Sequence, residues 1–451
     1  MKFPESFVLL LEEAAGKADA AAVLEGLSRE CGVSVRLNPF KPAAPTFLES
    51  SSPVPWSSFG RILASRPSFT LEPFFHAGAF YVQESSAMFV GEMFRHVLPE
   101  LPAGRPLRVL DLCAAPGGKT TDLAASLRMK CGDRFILVAN EVMKQRAAVL
   151  ADNVARWGDP NVVVTSLDPK CFEALEGWFD LIVADVPCSG EGMFRKDASA
   201  LEQWSPDNVK LCASRQRRII ADVWPALAEG GILVYSTCTF NRLENDGNAE
   251  WIAAELGADH TGMDLEPGEG PRRTEHGFSL FPGLVPGEGQ YCAALRKVGG
   301  IFRGGSQTRF RTVPGLAAES WFNKDMVFAM RGGDTLVALP AVIADEAAFL
   351  FSKLRTLASG VTVGTVKGRD LVPDEDLALC MALWDGAFPK VELDRERALH
   401  FLHKDALAFP DSPKGFLQLT HGGVSLGFVK NLGNRSNSLH PNGRRILMDI
   451  K

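Results

Sequence analysis

The chain has 451 residues, more than one hydrophobic core ordinarily supports, so about two to three domains are expected. Apolar residues at 46% and charged residues at 23% exclude a disordered, collagen-like or fibrous chain. With 48 basic and 54 acidic side chains the formal charge is −6, so a polyanion would have to be held by a local patch and not by the field of the whole molecule.

The apolar run Phe7 to Leu11 is flanked by Glu5, Glu12 and Glu13 and precedes no small-residue cleavage site, which does not fit a secretory signal. No stretch approaches the roughly 18 uncharged apolar residues that cross a bilayer, so the cytoplasm is the expected compartment. The nine cysteines, at 31, 113, 131, 171, 188, 212, 238, 292 and 380, include no metal-binding pair and no disulfide framework. Free thiols and no metal are expected.

Residues 1–75 read as an accessory RNA-binding segment, helical at first and then broken by the Pro/Ser-rich connection Pro39 to Pro55. From about 105 to 297, short apolar runs (Leu107 to Leu112, Phe135 to Ala139, Val162 to Thr165, Leu181 to Ala184, Ile232 to Tyr235) alternate with helical patterns. That alternation predicts an α/β domain, 76–297, with a parallel sheet covered by helices on both faces. Asn208 to Ala228, with Leu211, Ile219, Val223 and Leu227 near helical spacing, predicts an amphipathic helix ending at Gly230-Gly231. A linker is expected at 298–312, a small α+β domain at 313–389 with a helix over Ala341 to Leu357 and a strand over Gly360 to Val366, and a β-rich module at 390–451 with a strand over Gly422 to Val429. From Lys430 onward five basic residues (Lys430, Arg435, Arg444, Arg445, Lys451) face one acid, Asp449, so the tail is locally cationic.

Chemistry concentrates in three stretches. In Arg108 to Thr120 an apolar strand runs into the small-residue loop Cys113-Ala114-Ala115-Pro116-Gly117-Gly118-Lys119 and then opens a helix. Gly117 and Gly118 let a ligand approach backbone N–H groups at a helix N-terminus, where a nucleotide or adenosyl group could sit. A phosphate-binding P-loop would need glycine at 113, where Cys113 stands, and an ATP-driven factor is disfavoured for that reason. Glu141, thirty positions past Asp111, stands where an α/β nucleotide site puts the carboxylate for the ribose hydroxyls; a solvated helix-start acid is the alternative. Asp168, after the third strand, could accept from an adenine amine. The strand Phe179 to Asp185 leads to Pro187-Cys188-Ser189-Gly190, and Gly231 to Thr237 leads to Cys238, so two strands each end in a cysteine at the ligand-facing edge. Cys131, Cys171, Cys212 and Cys380 read instead as small buried hydrophobes. A thiolate adding to carbon 6 activates carbon 5 of cytosine, and a second thiol could serve release.

These stretches resemble the Sun/Fmu-type (NOL1/NOP2/Sun) RNA (cytosine-5) methyltransferases, and more narrowly their bacterial RsmF-type rRNA members. The resemblance runs through Arg36-Leu-Asn-Pro-Phe-Lys41, Gly78 to Met88, Asp111 to Thr120, Asp185 to Gly190 and Ser236 to Phe240, with leucine and phenylalanine flanking Asn-Pro where the family usually has valine and leucine. It implies a Rossmann-like core that binds S-adenosyl-L-methionine through the Cys113 to Lys119 loop, Glu141, Asp168 and Asp185. It implies Cys238 as nucleophile, Cys188 in product release, Asp185 on the cytosine ring, and Lys119 within the site. The C-terminal region resembles a PUA-like RNA-binding module, for which Lys430, Arg435, Arg444 and Arg445 are the candidate phosphate contacts. RNA, chiefly rRNA, is the implied partner. The alternatives are the same chemistry on tRNA or a noncatalytic RNA-binding assembly factor, against which the retention of both cysteines, Asp185 and the glycine loop argues.

Overall fold

The computed structural model describes residues 2–265, 270–304, 308–368 and 370–450. Its centre is a ten-stranded mixed sheet whose parallel core runs Leu227–Thr237, Phe179–Asp185, Leu107–Asp111, Phe135–Asn140 and Val162–Thr165. The strand Leu107–Asp111, which leads into the glycine loop, thus sits next to Phe179–Asp185, and that strand next to Leu227–Thr237, the two that lead to Cys188 and Cys238. Each strand reads as a continuous apolar run because both faces are covered. Val109, Leu137 and Leu181 face Leu123, Leu127 and Leu150 of the flanking helices, while Leu110, Ile136 and Ile182 face Ile219, Ile220 and Ile252.

The sheet is larger than the alternating runs announce. Gln290–Lys297, whose glutamine, arginine and lysine leave no clean period, pairs antiparallel to Leu227–Thr237. Thr356–Ser359 crosses over from the expected 313–389 domain to pair with Val162–Thr165. That region therefore divides: Met326–Arg331, Thr335–Pro340, Val361–Lys367 and Asp370–Pro373 form a sheet of their own, while Ala347 and Leu350 join the central core.

Other expectations are corrected. The helix expected over Asn208 to Ala228 spans Pro206–Val223 and stops ahead of Pro225, and Gly230-Gly231 lies inside the next strand. Leu211, assigned to its apolar face, is exposed at 57%. The helix expected through Leu357 ends at Lys353. Gly422 and Gly423 form the turn between Gly415–His421 and Val424–Asn431 and are not strand residues. Beyond the helices Glu5–Ala15 and Lys17–Leu27, the N-terminal segment carries a four-stranded sheet, which puts Pro53 on an edge strand. Its last strand, Phe80–Val82, pairs with Val33–Leu37, so this unit extends past the expected boundary at 75. Its residues Val35, Phe69 and Phe74 share one apolar cluster with Leu399, Phe401 and Leu417 of the C-terminal module. Residues 305–307 of the expected linker lie outside the described residues; ahead of them, Arg303 and Gly304 are docked on the sheet by the guanidinium of Arg108.

Candidate active site

The loop after Asp111 is fixed from outside. The carbonyls of Ala115, Pro116 and Gly118 accept from Arg146, Asn153 and Arg36 at 2.9, 2.7 and 3.2 Å. Gly117 takes the left-handed conformation, φ 115°, as cap of the helix Gly118–Cys131, and a side chain there would be strained. The first-turn N–H groups of Gly118, Lys119 and Thr120 have no intrahelical acceptor. Behind the loop, Asp111 is fully buried and accepts from Thr120 Oγ1 at 2.6 Å, leaving Oδ1 without a partner. Burial pushes its carboxyl up to about 7, against the pull of Thr120 and Lys119.

The motif Arg36 to Lys41 explains why the N-terminal unit belongs to the site. The Arg36 guanidinium, 1% exposed, donates to Gln83 Oε1 at 2.8 Å and Thr121 Oγ1 at 2.6 Å, and so braces the helix that the glycine loop opens. Asn38 donates to the carbonyls of Gly78 and Trp157, and Lys41 to those of Ala77 and Arg156.

Glu141 is 3% exposed, which rules out the solvated alternative. Its carboxylate accepts from Met143 N at 2.9 Å and lies 3.2 Å from Arg146, and the next two residues, Val142 and Met143, are exposed. Asp168 is exposed and closes its own turn by accepting from Lys170 N at 3.1 Å.

At the ends of the neighbouring strands, Asp185 Oδ2 receives Lys119 Nζ at 2.8 Å, and Oδ1 receives Ser236 Oγ at 2.8 Å and Gln290 Nε2 at 3.0 Å. Burial opposes the charge on Lys119, but the Asp185 carboxylate outweighs it and the ammonium is held above its ordinary pKa. The sulfurs of Cys188 and Cys238 are 3.1 Å apart. The hydrogen bond with Cys238, then burial and the charge of Cys238, push the Cys188 thiol well up. The other buried thiols are raised by burial itself, Cys113 further by the carboxylates of Asp185, Asp111 and Glu141. Cys131, Cys212 and Cys380 are buried as expected, whereas Cys171 is exposed.

Sequence reasoning missed the frame that holds the two thiols together. Glu191, 1% exposed, accepts from Phe240 N and Asn241 N with one oxygen and from Trp204 Nε1 and Asn241 Nδ2 with the other. Glu244 accepts from Ser189 N, Gln216 and Asn241, and burial raises its carboxyl. Gly192 N donates to Cys238 O at 2.9 Å. The available signal was Glu191 three residues after Cys188, and Asn241 and Glu244 three and six residues after Cys238. Gln290 and Ser236 gave no such signal.

The C-terminal candidates divide. Arg435 and Arg445 are exposed, and Lys430 lies over the Phe416 ring at 5.4 Å. Arg444 is not a free phosphate contact: its guanidinium is paired with Asp152 at 2.6 Å and Asp376 at 2.8 Å, which ties the tail to the central domain.

The fold and this arrangement define the class of a Rossmann-like methyltransferase with a C-terminal PUA domain. The sequence matches the 16S rRNA methyltransferase RsmB/F family over residues 103–296, the N-terminal domain of 16S rRNA methyltransferase RsmF over 3–85, and the methyltransferase RsmF PUA domain over 388–446. Ribosomal RNA small subunit methyltransferase F of Cronobacter sakazakii is 37% identical over 317 residues, covering 66% of this chain and 64% of the relative. That of Pectobacterium atrosepticum is 36% identical over 287 residues, covering 59% and 57%. The chain thus aligns with less than two thirds of the length of these relatives. A solved methyltransferase homologue from Pyrococcus horikoshii shares 26% identity at a TM-score of 0.55, covering 66% of this chain and 96% of its own. NSun6 from the same organism shares the fold at 19% identity and a TM-score of 0.55, covering 66% and 99%. The chain belongs to the RsmB/F methyltransferase family, with the N-terminal and PUA domains of its RsmF type.

Proposed function

We propose that the protein transfers a methyl group from S-adenosylmethionine to carbon 5 of a cytosine in ribosomal RNA, through a covalent adduct of Cys238 on carbon 6. The observation that carries this reading is the pair of thiols, 3.1 Å apart, on adjacent strand ends beside the Lys119–Asp185 ion pair. A noncatalytic RNA-binding factor has no use for that set.

The residues present fit the cofactor. A buried carboxylate followed in the chain by exposed Val142 and Met143 suits a ribose diol with a flat apolar base beside it, and Asp168 and the Cys113 to Lys119 loop complete the set with Asp185. When bound, S-adenosylmethionine supplies the electrophilic methyl group. The chain does the rest. Cys238, as thiolate, adds to carbon 6 and makes carbon 5 nucleophilic. Asp185, held in orientation by Lys119, Ser236 and Gln290, contacts the ring and stabilises its activated form. Cys188, its sulfur 3.1 Å from that of Cys238, serves as the base: as thiolate it takes the carbon-5 proton, and the bond from carbon 6 to sulfur breaks to return the Cys238 thiolate.

The target base must be extruded from its stack to reach both the thiol and the methyl group. The test is transfer of labelled methyl groups from S-adenosylmethionine to rRNA, with the product mapped by bisulfite sequencing of RNA from cells with and without the gene. Label on cytosine carbon 5 supports the reading, and absence of transfer to RNA contradicts it.

A further inference from the structure

A cavity of about 340 Å³ lies outside the crevice of the two thiols, where the N-terminal unit meets the helix Lys144–Trp157. Its walls are aromatic: Phe69, Phe75, Phe80, Tyr81 and Trp157. The rings of Phe69, Phe75 and Phe80 lie within 6.5 Å of one another, centroid to centroid. Two guanidinium groups complete the lining, Arg66 at 5.6 Å over Phe69 and Arg156 at 5.8 Å over Phe75. Among the described residues no carboxylate pairs with Arg66, which is exposed, and Arg156 shares Asp152 with Arg444. Two buried donors here, Trp157 Nε1 and Arg156 Nε, have no acceptor. Asn153, also in the lining, donates to Pro116 O at 2.7 Å, so the cavity abuts the back of the glycine loop.

We propose that this cavity is a second nucleotide site, which takes one unpaired base of the substrate RNA together with its phosphate. The inference rests on the reading that the protein acts on RNA. Ring faces offer a base a stacking surface that tolerates any sequence, and arginines pair with phosphate and stack on bases. A volume above roughly 300 Å³ is of the size that holds a small ligand. An aliphatic or lipid occupant would leave Arg66 unpaired. Occupied, the site would fix the register of the RNA without touching the reacting cytosine.

The test uses the full chain and a short single-stranded RNA carrying 4-thiouridine, cross-linked by long-wavelength light and mapped by mass spectrometry. Affinity for the same RNA and for S-adenosylmethionine is measured in wild-type, Arg66→Ala and Tyr81→Ala proteins. The expected result is cross-links in the segments 66–82 or 153–157, and RNA affinity reduced about 5-fold or more in each variant with cofactor affinity unchanged. Cross-links confined to other segments, with wild-type RNA affinity in both variants, would overturn the proposal. Methyl transfer by the wild-type protein is followed in parallel: intact transfer with no cross-link here removes the second site alone, whereas no transfer to any RNA contradicts the proposed function itself.

Discussion

Glu191 accepts hydrogen bonds from the backbone N–H of Phe240 at 2.7 Å and of Asn241 at 3.0 Å, so the loop after Cys188 fixes the loop after Cys238. The spacing of the two sulfurs is therefore set by a buried carboxylate and not by the thiols. Replacing Glu191 by Ala leaves three donors unsatisfied, Trp204 Nε1, Phe240 N and Asn241 N, and each buried donor without a partner costs roughly 1–3 kcal/mol. The expected outcome is a lowered denaturant midpoint together with loss of methyl transfer, while Glu191→Gln falls between that variant and wild type. Unfolding curves and single-turnover assays on the same preparations check it.

Arg444 and Arg445 are neighbours with different work. Arg444 bridges Asp152 and Asp376, whereas Arg445 is exposed. Arg444→Ala is expected to lower thermal stability, because it takes the ion-pair partner from partly buried Asp376 and leaves Asp152 with Arg156 alone. Arg445→Ala is expected to leave stability unchanged and, if it touches phosphate, to reduce the slope of log affinity against log salt by roughly 0.7–0.9. Thermal unfolding and RNA binding at several salt concentrations separate the two.

Asp111 gives a pH signature. Its folded pKa, raised by burial to about 7, exceeds the ordinary unfolded value near 3.9, so the folded chain holds the proton more tightly. The stability this contributes is complete below about pH 4 and is lost as the pH rises through about 7. Asp111→Asn, which keeps an acceptor for Thr120, should flatten that decline. Denaturant titrations at several pH values between 4 and 8 measure it, and an unchanged slope would remove Asp111 as the source.

The legible part of the molecule was the part whose residues repeat a simple rule. The five parallel strands are apolar on both faces, so Leu107 to Leu112 and its successors announce themselves. The strand Gln290–Lys297 carries glutamine, arginine and lysine among apolar residues and offers no clean period, although it supplies Gln290 to Asp185. Cys188 and Cys238 stood out because each follows a strand, while their 3.1 Å approach depends on pairing between segments about fifty residues apart. Arg444 reads from the sequence as a phosphate contact because it stands in a basic tail, and only the packing of that tail against the helix Lys144–Trp157 and against Asp376 supplies its carboxylates.

For the cofactor, Glu141→Ala should weaken S-adenosylmethionine binding by about 1.5–3 kcal/mol, the range for hydrogen bonds to a charged group. Calorimetry on folded variant protein measures this. Undiminished affinity would take Glu141 out of the cofactor site.

The division of labour between the two thiols is the centre of the account. Cys238→Ala and Cys188→Ala proteins are each incubated with substrate RNA and S-adenosylmethionine and run on a denaturing gel. Cys238→Ala should give neither methylated RNA nor a protein–RNA species, because no attack on carbon 6 takes place. Cys188→Ala should attack and methylate but fail to release, and so accumulate a covalent complex that survives denaturation. A covalent complex formed by Cys238→Ala and absent from Cys188→Ala would contradict the assignment.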